Sequence, residues 1–403
     1  MKKTLLAAAL IAGFAGVAQA ETSVTLYGIL DAGVGYQKVS GSSSRSGAAN
    51  TNIDGKRIGL INGIQSGNRW GLKGSEDLGS GLRAVFVLES GFTLADGKHA
   101  QGDRLFGRQA TLGLAGDSWG QLDFGRQTNV SSKYLAAADP FGEGFDQANI
   151  GVAFTTSNTT RYDNMVLYQT PNFSGFQLGV GYSFNVDGGQ TWDRDTTVGG
   201  VDYNTKDSNK KALTTGLRYA NGPLAVALTY DQVKSGSTLS GGVFDVNPAT
   251  GAIVQTGGVP SDNVTIKSLN LGGSFDFEVA KLHLAIGQTR DGLFQAHTFG
   301  DNAAIRPFTG LDGLKVNSYL VGATVPLGNG SLLASWTMAD PTDKPDSAGV
   351  NDEWDKQQTY SVGYTYGLSK RTNLYAIGSY AKHIHFLPDA KSTLVGVGVR
   401  HQF

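Results

Sequence analysis

The chain has 403 residues, 40% of them hydrophobic, 57 glycines and no cysteine, with 33 basic residues against 34 acidic ones. A near-neutral balance lacks the concentrated positive charge of a nucleic-acid binder, so no nucleic-acid partner is expected. Without a thiol, a chain of this size is not a small scaffold stapled by disulfides, and a large, continuously hydrogen-bonded structure is expected instead.

In chain order, the first signal is an export sequence. Met1-Lys2-Lys3 is a short positive segment, Thr4 to Val17 is nearly all apolar, and Ala18-Gln19-Ala20 is a small-x-small cleavage site. Residues 1–20 therefore read as a cleaved signal peptide, leaving one domain over 21–403 with 31 basic and 34 acidic residues. Beyond it no apolar run is long enough for a transmembrane helix. A bilayer-spanning strand, however, needs only about ten residues of alternating character, and each gives a weak hydropathy signal.

From Val24 onward the chain alternates. Val24, Leu26, Gly28, Leu30 and Ala32 share one face against Thr25 and Asp31 on the other. Trp70, Leu72 and Gly74 alternate with Arg69, Lys73 and Ser75, and Leu82, Ala84, Phe86 and Leu88 with Arg83 and Glu89. Side chains on a strand point to opposite faces in turn, so each segment has an apolar and a polar face. Sixteen strands are predicted, near 23–37, 57–77, 82–95, 104–116, 119–127, 160–170, 176–185, 211–220, 224–234, 263–277, 279–290, 315–327, 331–340, 357–368, 373–383 and 391–403. Short turns such as Gly116-Asp117-Ser118 and Asn221-Gly222-Pro223 alternate with long polar stretches near 38–56, 127–159, 185–210, 234–262, 291–314 and 340–356. Short turns on one rim and long loops on the other describe a membrane barrel, and an even count puts both ends of the domain on the short-turn rim. The fold class is thus all-β, an antiparallel transmembrane barrel. In the last strand Val395, Val397, Val399, His401 and Phe403 share a face, which brings an aromatic ring to the membrane interface.

Several segments resemble the trimeric general porins of β-proteobacteria, of the neisserial and Bordetella-like kind. They are Val24-Thr25-Leu26-Tyr27-Gly28, Arg69 to Gly79, Phe106-Gly107-Arg108-Gln109-Ala110, Phe124-Gly125-Arg126-Gln127, Arg161-Tyr162-Asp163-Asn164 and the terminal Arg400-His401-Gln402-Phe403. The resemblance implies a homotrimer of sixteen-stranded barrels in outer-membrane lipid and lipopolysaccharide, with a third loop folded into each channel. It also implies that Phe403 is read by the outer-membrane assembly machinery through the last strand. Such a protein performs no bond chemistry and takes no cofactor or metal. Its function rests on the electrostatics of a water-filled throat, where a few charges between low-dielectric walls bias which ions pass.

For the basic wall the resemblance points to Arg69, Arg126 and Arg161, aided by Lys73 and Arg108. Strict alternation argues against Arg108 and Arg126, because each shares phase with apolar residues; a bulge or an early strand end would resolve this. The acids of the third loop, Asp139, Glu143 and Asp146, are the expected opposing face. Arginines outnumbering loop acids imply a modest anion preference. Gly116-Asp117-Ser118-Trp119-Gly120 matches the nucleophile-elbow pattern, but a strand rather than a helix is expected after it, so no enzyme is read there. The competing readings are a barrel specific for one solute and a secreted soluble β-protein.

Overall fold

The computed structural model describes residues 23–43, 51–190, 192, 194–198, 201–205, 209–234, 239–240, 243–246, 253–256, 259–260, 264–300, 310–344 and 354–403. The expected signal peptide lies outside these residues.

The strands are β1 (Ser23–Ser43), β2 (Thr51–Asn62), β3 (Arg69–Gly79), β4 (Leu82–Gly91), β5 (Gln109–Gly116) and β6 (Gly120–Thr128). After one helix, α1 (Val130–Leu135), come β7 (Arg161–Gln169), β8 (Phe176–Ser183), β9 (Lys211–Asn221), β10 (Leu224–Lys234), β11 (Thr265–Asp276) and β12 (Lys281–Gly292). The series ends with β13 (Gly310–Leu327), β14 (Gly330–Asp343), β15 (Gln357–Gly367), β16 (Thr372–Lys382) and β17 (Lys391–Gln402). Apart from β2 and β3, which both pair with β1, sequence neighbours pair antiparallel, and β1 pairs with β17 from Ile29–Gln402 to Ser40–Lys391, which closes the sheet. Closure removes every strand edge, and a membrane demands that because lipid cannot satisfy a free N–H or C=O. Short ribbons such as Arg194–Val198 with Val201–Thr205 stand in the long loops.

β2 and β3 are two halves of one stave, since β1 pairs with both, Ala32 opposite Asn62 and Ile29 opposite Arg69. The barrel therefore has sixteen staves, as alternation predicts, but the second is interrupted where an unbroken strand over 57–77 was expected. The cause is local. Gly63 has φ +60, and the fully buried Asp31 accepts the Ser66 N–H and the Tyr375 hydroxyl, each at 2.5 Å. The Asn68 side chain accepts the Asp31 N–H at 2.6 Å. Residues 63–68 are thereby pinned as an inward turn. The first long loop is also shorter than expected, because β1 and β2 pair as far as Ser43 and Thr51.

Outward positions form an apolar belt, for example Leu112, Leu228, Leu284, Ile286, Val362 and Val397, all exposed. Near the short-turn rim stand aromatic side chains, with Phe176 against Tyr219 and Phe275 against Phe277, each pair 4.6 Å between ring centroids. Phe403 exchanges backbone hydrogen bonds with Gly28 at 3.1 Å in both directions, which seats its ring beside β1. The elbow-like Gly116–Gly120 segment is the tight turn between β5 and β6, with no helix after it.

Candidate functional site

The loop between β6 and β7 lies against the inner wall of the barrel. Asn129 caps α1 by accepting the Ser132 N–H at 3.1 Å, and its Nδ2 donates to Asp231 of β10 at 2.8 Å. The Ser131 hydroxyl donates to the other Asp231 oxygen, and the Val130 N–H donates to Thr214 of β9 at 2.9 Å. Further along, Ser318 of β13 donates to the Ala153 carbonyl at 2.7 Å and Gln357 of β15 to Val152 at 2.6 Å. Gln147 donates to the Ser379 carbonyl of β16 at 3.1 Å and accepts from Ser392 of β17 at 2.6 Å. The loop thus runs along the inner wall from β9 round to β17 rather than standing above the rim.

The wall is shaped for it. Val130, Tyr134 and Leu135 pack on Tyr162, Met165 and Leu167 of β7. That is why Met165-Val166-Leu167 is apolar on both faces: one meets the loop, the other faces out. Gly216, Gly272, Gly322 and Gly363 lie under the loop, where a Cβ would press on Val130, Ala138, Pro140 and Phe141 respectively. Phe141 and Phe145 form a second apolar contact with Ile64 of the inward turn and Tyr375 of β16, and the Phe145 N–H donates to the Gln65 carbonyl at 3.2 Å.

Four of the expected arginines come together on the wall of β3 to β7. The charges of Arg108, Arg126 and Arg69 act on Arg161, Arg108 most strongly. Arg69 Nε donates to the Gly67 carbonyl at 3.0 Å. Arg161 donates to the carbonyls of Arg108 and Thr159, both at 3.0 Å. Among the described residues neither has a carboxylate within ion-pair distance, so their charge is left for the lumen. Arg108 is paired with Glu89 at 2.6 Å. Arg126 is paired with Asp163 at 2.6 Å, and Asp163 also holds Arg104 at 2.8 Å.

Both departures from alternation have a local reason. β5 begins at Gln109 rather than near 104, so Arg108 precedes the pleat. Beside Arg126 the β6–β7 register slips between Gly125, at φ +121, and Gln127. Of the two, Arg108 acts more strongly on Arg161, and it also acts on Arg69. Lys73 stands apart: it is four residues below Arg69 on β3, about 13 Å at 3.3 Å per residue, with its Nζ 5.5 Å from the Tyr27 ring centroid.

The three loop acids are not equivalent. Asp139 is buried and accepts the N–H groups of Phe141, Glu143 and Ile150 at 2.9, 2.8 and 3.0 Å, which knots the loop. Burial pushes its carboxyl up to about 6. Glu143 accepts the Ser157 hydroxyl at 2.7 Å and feels the charge of Arg161. Burial, reinforced by Asp139, holds it well above the ordinary carboxylate range. Asp146 lies 3.1 Å from His297 Nε2.

Sequence reasoning missed Arg400, whose charge acts on Arg69 and whose Nε donates to Ser66 at 3.0 Å. Its signal was present, since it falls on the face opposite Val395, Val397 and Val399. Lys133 on α1 of the loop and Arg218 of β9 were also missed.

Comparison with known proteins agrees with the barrel fold. A family model described as Gram-negative porin matches residues 7–383. An outer membrane porin protein of Bordetella pertussis is 52% identical, with 100% of each chain covered. Among solved structures, an anion-selective porin from Comamonas acidovorans is similar at TM-score 0.65 and 27% identity, covering 95% of this chain and 100% of that one. OmpT of Vibrio cholerae in a trimer form is similar in fold alone, at TM-score 0.57 and 14% identity over 95% of this chain and 99% of that one.

Proposed function

The chain belongs to the Gram-negative porin family, and we propose that its throat passes small hydrophilic solutes with a preference for anions set by Arg69 and Arg161. As an outer-membrane porin it is a passive diffusion channel and not an enzyme. The observation that carries the preference is that Arg69 and Arg161 are held by backbone carbonyls, whereas Asp139 spends its carboxylate on three N–H groups of its own loop. Between low-dielectric walls, unpaired cations outweigh the slightly acidic balance of the whole chain. The similar Comamonas protein, described as anion-selective, supports the same reading. Reversal potential across a KCl gradient in a planar bilayer tests it: a chloride-side potential is expected, and a potassium-side one would overturn the charge assignment.

The finer expectations belong to the same reading. Residues 1–20 are a cleaved signal peptide, so the mature protein should begin at Glu21 on N-terminal sequencing. The functional unit is a homotrimer whose belt meets outer-membrane lipid and lipopolysaccharide. Phe403 presents the last strand to the assembly machinery; its seat against Gly28 supports this, and accumulation of a Phe403-deleted chain in the periplasm would be the expected sign.

A further inference from the structure

A second pair of cations is formed by Lys133 on α1 of the loop and Arg218 of β9. Lys133 Nζ donates to the amide oxygens of Gln127 at 3.1 Å and Gln169 at 3.4 Å. The Arg218 guanidinium lies 4.9 Å over the Tyr134 ring, and the Tyr134 hydroxyl accepts from Gln169 Nε2 at 3.3 Å. Among the described residues no carboxylate is within ion-pair distance of either cation. The one nearby acid, Asp123, has both oxygens taken by Gln121 Nε2 at 2.9 Å. Gln127 is fully buried with its carbonyl on Lys133, yet its Nε2 donor has no partner. Lys133 and Arg218 are themselves half-buried and so reachable.

We propose that Lys133 and Arg218, flanking the Tyr134 ring, form a second anion station that takes small carboxylates after they pass the arginine wall. The proposal rests on the porin reading above. An ammonium and a guanidinium fork stand on either side of Tyr134 there, linked through Gln169, and among the described residues neither has a carboxylate within ion-pair distance. A guanidinium matches a carboxylate edge to edge, and the Tyr134 face holds its plane. Gln127 follows Arg126 and pairs with Tyr162, the residue after Arg161, so the station adjoins the wall and extends from it toward Gln169 at the end of β7.

The station also carries its own signature. Burial lowers Lys133 to about 8, with Asp123 opposing. Besides Asp123, the titratable or charged groups facing it are Tyr134 on its own helix and Arg218 of β9. Acetate permeability relative to potassium is read from reversal potentials of the full-length channel in potassium acetate between pH 6 and 9.5. We expect a fall of about twofold in K133Q and in R218Q at pH 7, and in the wild type a similar fall as pH rises through about 8. K133R should keep the permeability and lose the step. Conducting K133Q and R218Q channels with wild-type ratios at every pH would overturn the station while leaving the porin reading intact. A step that persists in K133R would overturn it equally, even if K133Q fails to assemble. No conductance from the wild type would overturn both readings together.

Discussion

Arg69 and Arg161 make their hydrogen bonds to carbonyl oxygens, which orient a guanidinium without neutralising it. Arg126, in contrast, shares Asp163 with Arg104. R161S should therefore move the reversal potential toward potassium by more than R126S does, because removing Arg126 releases an acid that Arg104 still holds. Equal shifts in the two variants would assign both arginines the same role. pH provides a second test at this scale. Burial raises Asp139 to about 6 and holds Glu143 well above its ordinary range, so Asp139 becomes neutral as pH falls through about 6. Chloride preference should grow on acidification from pH 8 to 5, and an unchanged reversal potential would place these acids outside the ion path. The linkage has the matching sign. A carboxyl raised from its ordinary value near 4 contributes stability at low pH that is lost as pH rises through about 6.

Among the elements, the constriction loop behaves as part of the wall because its polar groups end on strand side chains. Asp231 alone receives Asn129 and Ser131 at the start of α1. D231A leaves the buried Ser131 hydroxyl without its acceptor and leaves Asn129 Nδ2 with the Thr156 carbonyl alone, a cost of about 1–3 kcal/mol for an unsatisfied group. It should lower the urea midpoint and increase open-channel noise in single-channel records. Quiet, wild-type traces would show that the apolar contacts of Val130, Tyr134 and Leu135 suffice to hold the helix. The interrupted stave serves the same end. Asp31 bends residues 63–68 inward, and the turn meets the loop tip through Gln65 and Ile64 and Arg400 through Ser66.

For the whole molecule, closure between β1 and β17 decides whether a barrel exists at all. Gly28 lies where a Cβ would overlap the Phe403 ring and crowd the Arg69 carbonyl. G28V should unseat Phe403 and lower the temperature at which the folded form is lost on a heat-modifiable gel; an unchanged transition would mean that the backbone pairing of Gly28 with Phe403 carries closure by itself. On the outer face, L284R places a charge in the apolar belt, at a cost of about 2–4 kcal/mol if it lies at the bilayer midplane. The expected result is poor folding into vesicles.

The strand count, the short-turn rim, the belt and the last strand were legible because each strand states its own two faces residue by residue, and the turns between them are local. Arg69 was legible for the same reason. What the sequence could not state was anything requiring two distant segments to meet. The interruption at 63–68 depends on Asp31 and Tyr375. Arg108 matters through Glu89 and its nearness to Arg161, and Asp139 turns inward because Ile150 and Phe141 converge on it. Met165 and Leu167, apolar on the lumen side, make sense only once α1 lies on them. Periodicity is a property of one strand and is written in the chain. The throat belongs to a closed ring, and ring closure alone decides which charges find partners and which stay free for the solute.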